Sequence, residues 1–328
     1  MRIGTDSNWA HVASGWFHGA AVRTDGSLWT WGRNNRGALG HGDTVDRLSP
    51  TRVGTGNDWA LVAAGIDLTV AVKTDGTMWA WGANTNGQLC MAGSADRLVP
   101  TQVGTANTWS RAHRDVLSAP YHGIMAIQTD GSLWGCGQNE GGALGMGHSS
   151  PVATMAREPS NATNWARIVT YRLNSAAIKT DGTLWTAGGN ELGKLGRTCT
   201  VVPCNRFGQE STGATHWIRA AHGGWHLNAL RSDGTLWSVG EDNGGLLWQG
   251  TVMNRSTWVQ AAGTGFVDLG VWYYASLALK SDGSRWGAGY NTSPTHNLSL
   301  GIGVTSTFVT SNGATGPHFA VNPTTCLP

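Results

Sequence analysis

The sequence predicts an all-β propeller, a ring of four-stranded blades copied from one unit, and three observations carry that prediction. The phrase Thr-Asp-Gly-Ser-Leu-Trp at Thr24 to Trp29 returns at Thr74 to Trp79, Thr129 to Trp134 and Thr180 to Trp185, then with a leading serine at Ser232 to Trp237 and Ser281 to Trp286. The copies lie about 50 residues apart, a period at which propeller blades occur. Each copy also divides into four short apolar stretches, rich in Val and Trp and separated by Gly, Asp and Asn, as strands are.

In the first copy strand A is Trp9-Ala10-His11-Val12-Ala13-Ser14, and strand B contains Gly19-Ala20-Ala21-Val22. Strand C is Leu28-Trp29-Thr30-Trp31-Gly32, and Pro50-Thr51-Arg52-Val53-Gly54 closes the unit as strand D. Asp25-Gly26 between B and C predicts a tight hairpin of type I′, because this pair tolerates positive φ. The C–D loop Gly37-Ala38-Leu39-Gly40-His41-Gly42 carries a leucine expected to plug the blade edge. Trp29, Trp79, Trp134, Trp185, Trp237 and Trp286 share one face of strand C and are expected to be buried between sheets.

The repeats fall at roughly 5–54, 55–104, 105–159, 160–212, 213–262 and 263–306, with a last one split between 307–328 and 1–4. Phe308-Val309-Thr310, Pro317-His318-Phe319-Ala320-Val321 and Cys326-Leu327 read as strands A, B and C of that copy. Arg2-Ile3-Gly4-Thr5 supplies its strand D, since it matches Arg52-Val53-Gly54-Thr55 and Gln102-Val103-Gly104-Thr105 before the next tryptophan. The expectation is one domain, 1–328, a seven-bladed ring closed by the N-terminal strand.

The chain of 328 residues has 48 Gly, 18 Trp and 13% charged residues, so turns are many and the core is aromatic. Net charge is +2 with no basic tail or stripe, which disfavours nucleic acid. No apolar run reaches the roughly 18 residues needed to span a bilayer, so membrane insertion is not expected. The first residues are not a secretory signal. An extracellular or cell-surface place is favoured if a signal has been removed, and a cytoplasmic one otherwise. Of five cysteines, Cys199 and Cys204 are close enough for a local disulfide or can be free thiols, whereas Cys136 reads as a small buried hydrophobe.

Gly-(x)-x-His, Asp-Gly-x-Leu-Trp-x-Trp-Gly, Asn-x-x-Gly-x-Leu-Gly-x-Gly and the closing Pro-x-x-Val resemble the regulator of chromosome condensation repeat family across essentially the whole chain. The resemblance implies a seven-bladed propeller, and the tryptophan-rich wording of Asp75 to Asn84 is similar to the bacterial branch. The family spans nucleotide-exchange factors, a plant photoreceptor and a secreted enzyme inhibitor. Its photosensory phrase Gly-Trp-Arg-His is replaced here by Gly15-Trp16-Phe17-His18 and Gly224-Trp225-His226.

No His-Glu-x-x-His, Gly-x-Ser-x-Gly or phosphate-cradling loop occurs, so no catalytic residue, metal ligand or cofactor is assigned. The repeated aspartates at Asp25, Asp75, Asp130, Asp181, Asp233 and Asp282 are turn residues, and Asp43, Asp46, Asp96 and Glu191 read as solvated loop charges. Arg47, Arg97, Arg206 and Arg255 recur before strand D, where they are expected to tie a loop to the adjacent blade. The A–B segments, by contrast, differ in every copy. They carry Trp16, Phe17 and His18; Tyr121 and His122; Tyr171 and Arg172; Trp225 and His226; and Trp272, Tyr273 and Tyr274.

Aromatic and arginine side chains dominate interface hot spots, so these twelve residues are the candidate partner-binding set on the A–B/C–D edge. The alternative for each is that the aromatic packs under its own loop and the histidine bonds a neighbouring group. The Asp-Gly edge is expected to take no part in recognition, so that Ser27→Glu or Thr77→Glu is tolerated without effect on binding. The reading is a monomeric, non-enzymatic scaffold for a protein partner, with a lectin-like glycan module or a structural ring in a secreted or surface assembly as alternatives.

Overall fold

The computed structural model describes residues 8–119, 123–200, 203–242, 244–272 and 275–289. They form six antiparallel sheets, five of four strands and one of three. The strands of the first sheet are β1 (Trp9–Ser14), β2 (His18–Arg23), β3 (Leu28–Gly32) and β4 (Arg47–Arg52). The second holds β5 (Trp59–Ala64), β6 (Leu68–Lys73), β7 (Met78–Gly82) and β8 (Arg97–Gln102). In the third, β9 (Leu117–Ser118) is short, and β10 (Gly123–Ile127), β11 (Leu133–Gly137) and β12 (Val152–Arg157) follow. The fourth is β13 (Trp165–Tyr171), β14 (Asn174–Lys179), β15 (Leu184–Gly188) and β16 (Cys204–Gln209). The fifth is β17 (Trp217–His222), β18 (His226–Arg231), β19 (Leu236–Gly240) and β20 (Arg255–Gln260). The sixth is β21 (Phe266–Trp272), β22 (Ala275–Lys280) and β23 (Arg285–Gly289).

These sheets correct the expectation of seven blades: among the described residues the blades are six, and the last has three described strands. The segments assigned to a seventh blade, 307–328 and 1–4, lie outside the described residues. The described residues gather in two compact units. One holds the first three sheets; the other holds the last three together with residues 140–149.

Every B–C connection is the hairpin the sequence predicts, but its turn is of another type. Positive φ occurs at Gly26 and its counterparts, not at the preceding aspartate. Gly26 donates to Arg23 O at 2.9 Å, so the left-handed glycine follows the turn, as in three-residue hairpin loops. A Cβ on Gly26 would meet Asn57 O at 2.1 Å, which explains why only glycine fits between the hairpin and the next D–A link. The aspartate is spent differently: Asp25 accepts from the Ser27 N–H and hydroxyl.

That hydroxyl changes the account of the repeated tryptophans. Trp29, Trp79, Trp134, Trp185, Trp237 and Trp286 are half-buried rather than core. Each indole N–H donates to the hydroxyl two residues earlier, as Trp29 does to Ser27 at 2.9 Å and Trp185 to Thr183 at 2.8 Å. In the first five blades the ring stands edge-on to the strand A tryptophan, with centroids 6.1 Å apart for Trp9 and Trp29 and 6.4 Å for Trp217 and Trp237. A cation from the end of strand B covers both, Arg23 in the first blade and Lys179 in the fourth. The buried strand C residue is the preceding one, Leu28, Met78, Leu133, Leu184 or Leu236.

Ser27 is therefore buried and bonded, and Ser27→Glu is not a neutral change. Ser27→Ala should destabilise the protein by about 1 kcal/mol, the usual net worth of such a bond. Urea midpoints would measure it, and an unchanged midpoint would count against the Asp25–Ser27–Trp29 relay.

The core lies between consecutive sheets of a unit. In the first unit Val22, Leu28 and Val53 pack with Trp59, Val62 and Trp81. In the second, Ile178 and Leu184 pack with Trp217, Val239 and Trp258. The loop leucines plug the edge as expected: Leu39, Leu89, Leu144, Leu195 and Leu247 are all buried. The backbone N–H of Leu39 is held by Asn34 and that of Leu247 by Asp242.

The residue after each of these leucines faces the next blade, and volumes are exchanged there. A Cβ on Gly40 would sit 2.7 Å from the Trp81 indole nitrogen, and one on Gly196 2.2 Å from that of Trp258. Trp248 occupies the same loop position in the fifth blade and packs in one cluster with Ala288 of the sixth. Between the second and third blades the corresponding residues are Cys90 and Cys136, and they are disulfide-bonded, with Cα atoms 5.6 Å apart. Cys136 is thus buried as expected but not a free thiol, since the contact that Gly40 makes with Trp81 puts a cysteine opposite it. Cys199 and Cys204 are also bonded.

The loop charges are structural too. Arg36 grips Asp96 of the next C–D loop with two bonds of 2.6 and 2.8 Å, which hold the carboxyl below its ordinary range. Asp96 also accepts the Asn84 N–H, and Asp46 that of Asn34, so neither is merely solvated. Arg47 and Arg97 close their own loops, bonding Val45 O and Ala95 O, rather than the adjacent blade.

Candidate functional site

The A–B loops and the C–D loops leave one edge of each blade. The first residue of a C–D loop donates back to the A–B loop: Arg33 to Phe17 O, Ala83 to Asp67 O, Gly189 to Leu173 O and Glu241 to Trp225 O. The first, second and fifth A–B loops are pinched where a glycine N–H meets the carbonyl three residues on, Gly15 with His18, Gly65 with Leu68 and Gly223 with His226. The residues between are pushed outward. The Asp-Gly turns and D–A links meet at the other edge, where Trp59 N–H donates to Gly26 O.

In the first unit Trp16 and Phe17 are half-buried and meet edge to face, 6.3 Å apart. Arg33 lies over Phe17, 3.7 Å from its centroid, and reaches Asp67 of the second A–B loop at 3.2 Å. This chain of ring, guanidinium and carboxylate carries a surface of aromatic carbon beside a partly exposed ion pair. His18 does not contribute to it. It is buried, its Nε2 is 2.8 Å from Thr69 Oγ1, and burial pushes its pKa down to about 4. Because the Thr69 hydroxyl donates to Ala38 O, the neutral ring donates through Nε2 and ties the first blade to the second.

His226 does the same between the fifth and sixth blades. It is buried, bonds Ser276 Oγ at 2.9 Å, and is pushed down to about 3 by burial. His18 and His226, the histidines of the Gly-x-x-His phrase, therefore tie blades together, the alternative open to each of them from the sequence.

In the second unit Tyr171 is half-buried and Arg172 is exposed with φ 24°, so the loop tip presents a guanidinium on an unusual backbone. Trp225 is half-buried. Its ring lies 4.7 Å from Nζ of Lys194, a lysine with 1% of its side chain exposed that pairs with Glu191 at 2.8 Å. His222, at the end of β17, is buried beside it. Its ring nitrogens make no hydrogen bond of good geometry, and only the His226 backbone weakly favours its charge. Burial first, then the Lys194 and His226 charges, push His222 down to about 3.

Tyr121, His122, Tyr273 and Tyr274 lie outside the described residues, as does the side chain of Trp272, whose backbone pairs with Ala275 at the end of β21. Lys194, Glu191 and His222 were not among the sequence candidates. A signal existed: Ala38, Gln88, Ala143 and Leu246 fill the loop position of Lys194 in other copies, so a lysine there is a departure. Among the described residues no three His, Cys, Asp or Glu side chains converge as metal ligands.

The profile of the regulator of chromosome condensation (RCC1) repeat matches residues 25–72 and 75–113, and a second profile of that repeat matches 9–38 and 59–88. The chain is a β-propeller of the RCC1 repeat type. It is similar to the ultraviolet-B receptor UVR8 of Arabidopsis thaliana, 27% identical over 290 residues. That alignment covers 85% of this chain and 64% of the receptor, so the chain spans less than two thirds of that relative. In fold it is similar to human WBSCR16, with a TM-score of 0.82 at 16% identity over 95% of this chain and 84% of the other. It is also similar to yeast RCC1 (Prp20) solved with Kap60, with a TM-score of 0.78 at 17% identity over 93% and 75%.

Proposed function

We propose that the chain is a non-enzymatic binding propeller that recognises a protein partner through the aromatic A–B loops. The observation that carries this is how residues divide between two tasks. Those that recur, such as the Asp-Gly turns and the loop leucines, are consumed by contacts within and between blades. Trp16, Phe17, Tyr171, Arg172 and Trp225 differ from copy to copy, and they are half-buried or exposed on the loop edge. Large rings at a partly desolvated edge are what interface hot spots are made of. A solved relative, yeast RCC1, is bound to Kap60, which supports protein recognition as a use of this fold. Two disulfides suit an oxidising compartment, so we place the protein outside the cytosol.

Partners captured by the immobilised protein test the reading. Trp16→Ala and Trp225→Ala, each leaving the melting curve in place, should weaken binding of a captured protein by more than about 2 kcal/mol in at least one case. Thr24→Lys, on the Asp-Gly edge, should not. The opposite order would move the site to the other edge, and binding lost only with added glycan would favour a lectin.

A further inference from the structure

Lys194, Glu191, His222 and Trp225 form a site on the second unit whose composition points to the chemistry of what it binds. A lysine with almost no exposed side chain is rare unless it is paired. Its pair here is a carboxylate of another kind, since Glu191 is 56% exposed and belongs to the same short turn, three residues away. The ammonium has three donors. One is directed to Glu191, and the Trp225 ring lies against the same group. Beneath them His222 is buried with ring nitrogens that make no good hydrogen bond, an arrangement that costs free energy unless something else uses it.

The geometry points to Lys194 and Trp225 as the receptor for an acidic side chain of a protein partner, with Glu191 as the internal carboxylate that the partner displaces. This deepens the reading of the loop edge as a protein-binding surface and rests on it. The physical case is charge complementarity in a desolvated place. An incoming carboxylate takes the ammonium that Glu191 holds, its methylene stem covers the Trp225 ring, and Glu191 is freed to water, where it is already half-exposed. Charge-assisted bonds made under such cover are stronger than neutral ones. The cation and ring alone would also suit a sugar acid, so the source of the carboxylate is what the experiment must separate.

The probe is a blocked pentapeptide with a central glutamate, compared with its glutamine counterpart and with glucuronate, and the readout is the Trp225 indole resonance in the intact protein. The glutamate peptide should bind at least about ten-fold more tightly than the glutamine peptide. Lys194→Gln should abolish that preference. Glu191→Gln should tighten the glutamate peptide several-fold by removing the internal competitor, a gain that no merely structural role for Glu191 produces. Equal binding of the two peptides, no saturation by about 10 mM in Glu191→Gln, or weaker binding in that variant would each overturn the proposal. Tighter binding of glucuronate than of the peptide would overturn it in favour of a glycan. If Trp225→Ala still weakens a captured protein while the peptides do not discriminate, the acidic anchor fails and the protein-binding reading stands.

Discussion

Removing the Cys90–Cys136 disulfide should cost the protein about 4 kcal/mol, the chain-entropy value for a closed loop of this length. The bond spans 46 residues and joins a loop of the second blade to β11 of the third. The Cys199–Cys204 bond spans only 5, and its loss should cost about half as much. Urea midpoints of Cys90→Ala with Cys136→Ala, against Cys199→Ala with Cys204→Ala, measure the two. A reductant should bring the parent protein toward the variant lacking all four of these cysteines and have little further effect on that variant.

The position of that disulfide also permits a rescue. Where the first blade meets the second, the same two positions hold Gly40 and Trp81. Cys90→Gly combined with Cys136→Trp should therefore recover part of the loss by restoring a packed contact of the kind already present one blade earlier. Should the glycine and tryptophan pair prove less stable than the two alanines, the exchange of volume between blades is not transferable. Should the alanine pair unfold at the parent's midpoint, the disulfide contributes nothing.

Much of this fold was legible because it is local. The Asp-Gly hairpin, the loop leucine and the fourfold strand pattern each depend on residues within a few positions, and the repeat multiplied the signal. What was not legible depends on which residues of different copies meet. Cys136 looks like a lone small hydrophobe until Gly40 and Trp81 show that its position faces the loop of the preceding blade. His18 looks like a rim residue for the same reason, since its partner Thr69 is 51 residues away. The blade count departs from the expectation because that expectation pairs strand-like phrases at both ends of the chain by sequence alone, whereas the sheets formed among the described residues are six. Trp29 and its equivalents share one face of strand C, which suggests a core position, but their N–H groups bond the Ser or Thr two residues earlier, which holds the ring at the blade edge. At the candidate site the aromatics were readable from their variety. Lys194 shows in the sequence only as a departure from the repeat, and its meeting with Trp225 does not, because the lysine comes from the loop of one blade and the ring from the next.

The protein should lose stability steeply as the pH falls from about 6.5 toward 4, and the buried histidines are the reason. His18 has a folded value of about 4, and His222 and His226 of about 3, against an ordinary 6.5, with burial the first cause in each. A group whose pKa is lowered by folding binds protons in the unfolded chain before it does in the native one. Its contribution is therefore complete above 6.5 and is lost as the pH drops through the window down to its folded value. Each histidine can remove up to about 1.4 kcal/mol per pH unit across that window. Asp242 works the other way: burial raises it to about 6, so protonation below that value relieves its cost and offsets part of one histidine. Three groups against one leave a net loss. Below 4 the turn aspartates add to it, because the hydroxyl and N–H bonds that lower Asp25 and its counterparts then fail. Urea midpoints taken at intervals between about pH 7.5 and pH 4.5 would follow the decline. His226→Gln, which keeps a donor to Ser276 but cannot titrate, should flatten the slope by one histidine's share, up to about 1.4 kcal/mol per pH unit. A midpoint that stays level across the range would mean these rings are not held neutral in the fold.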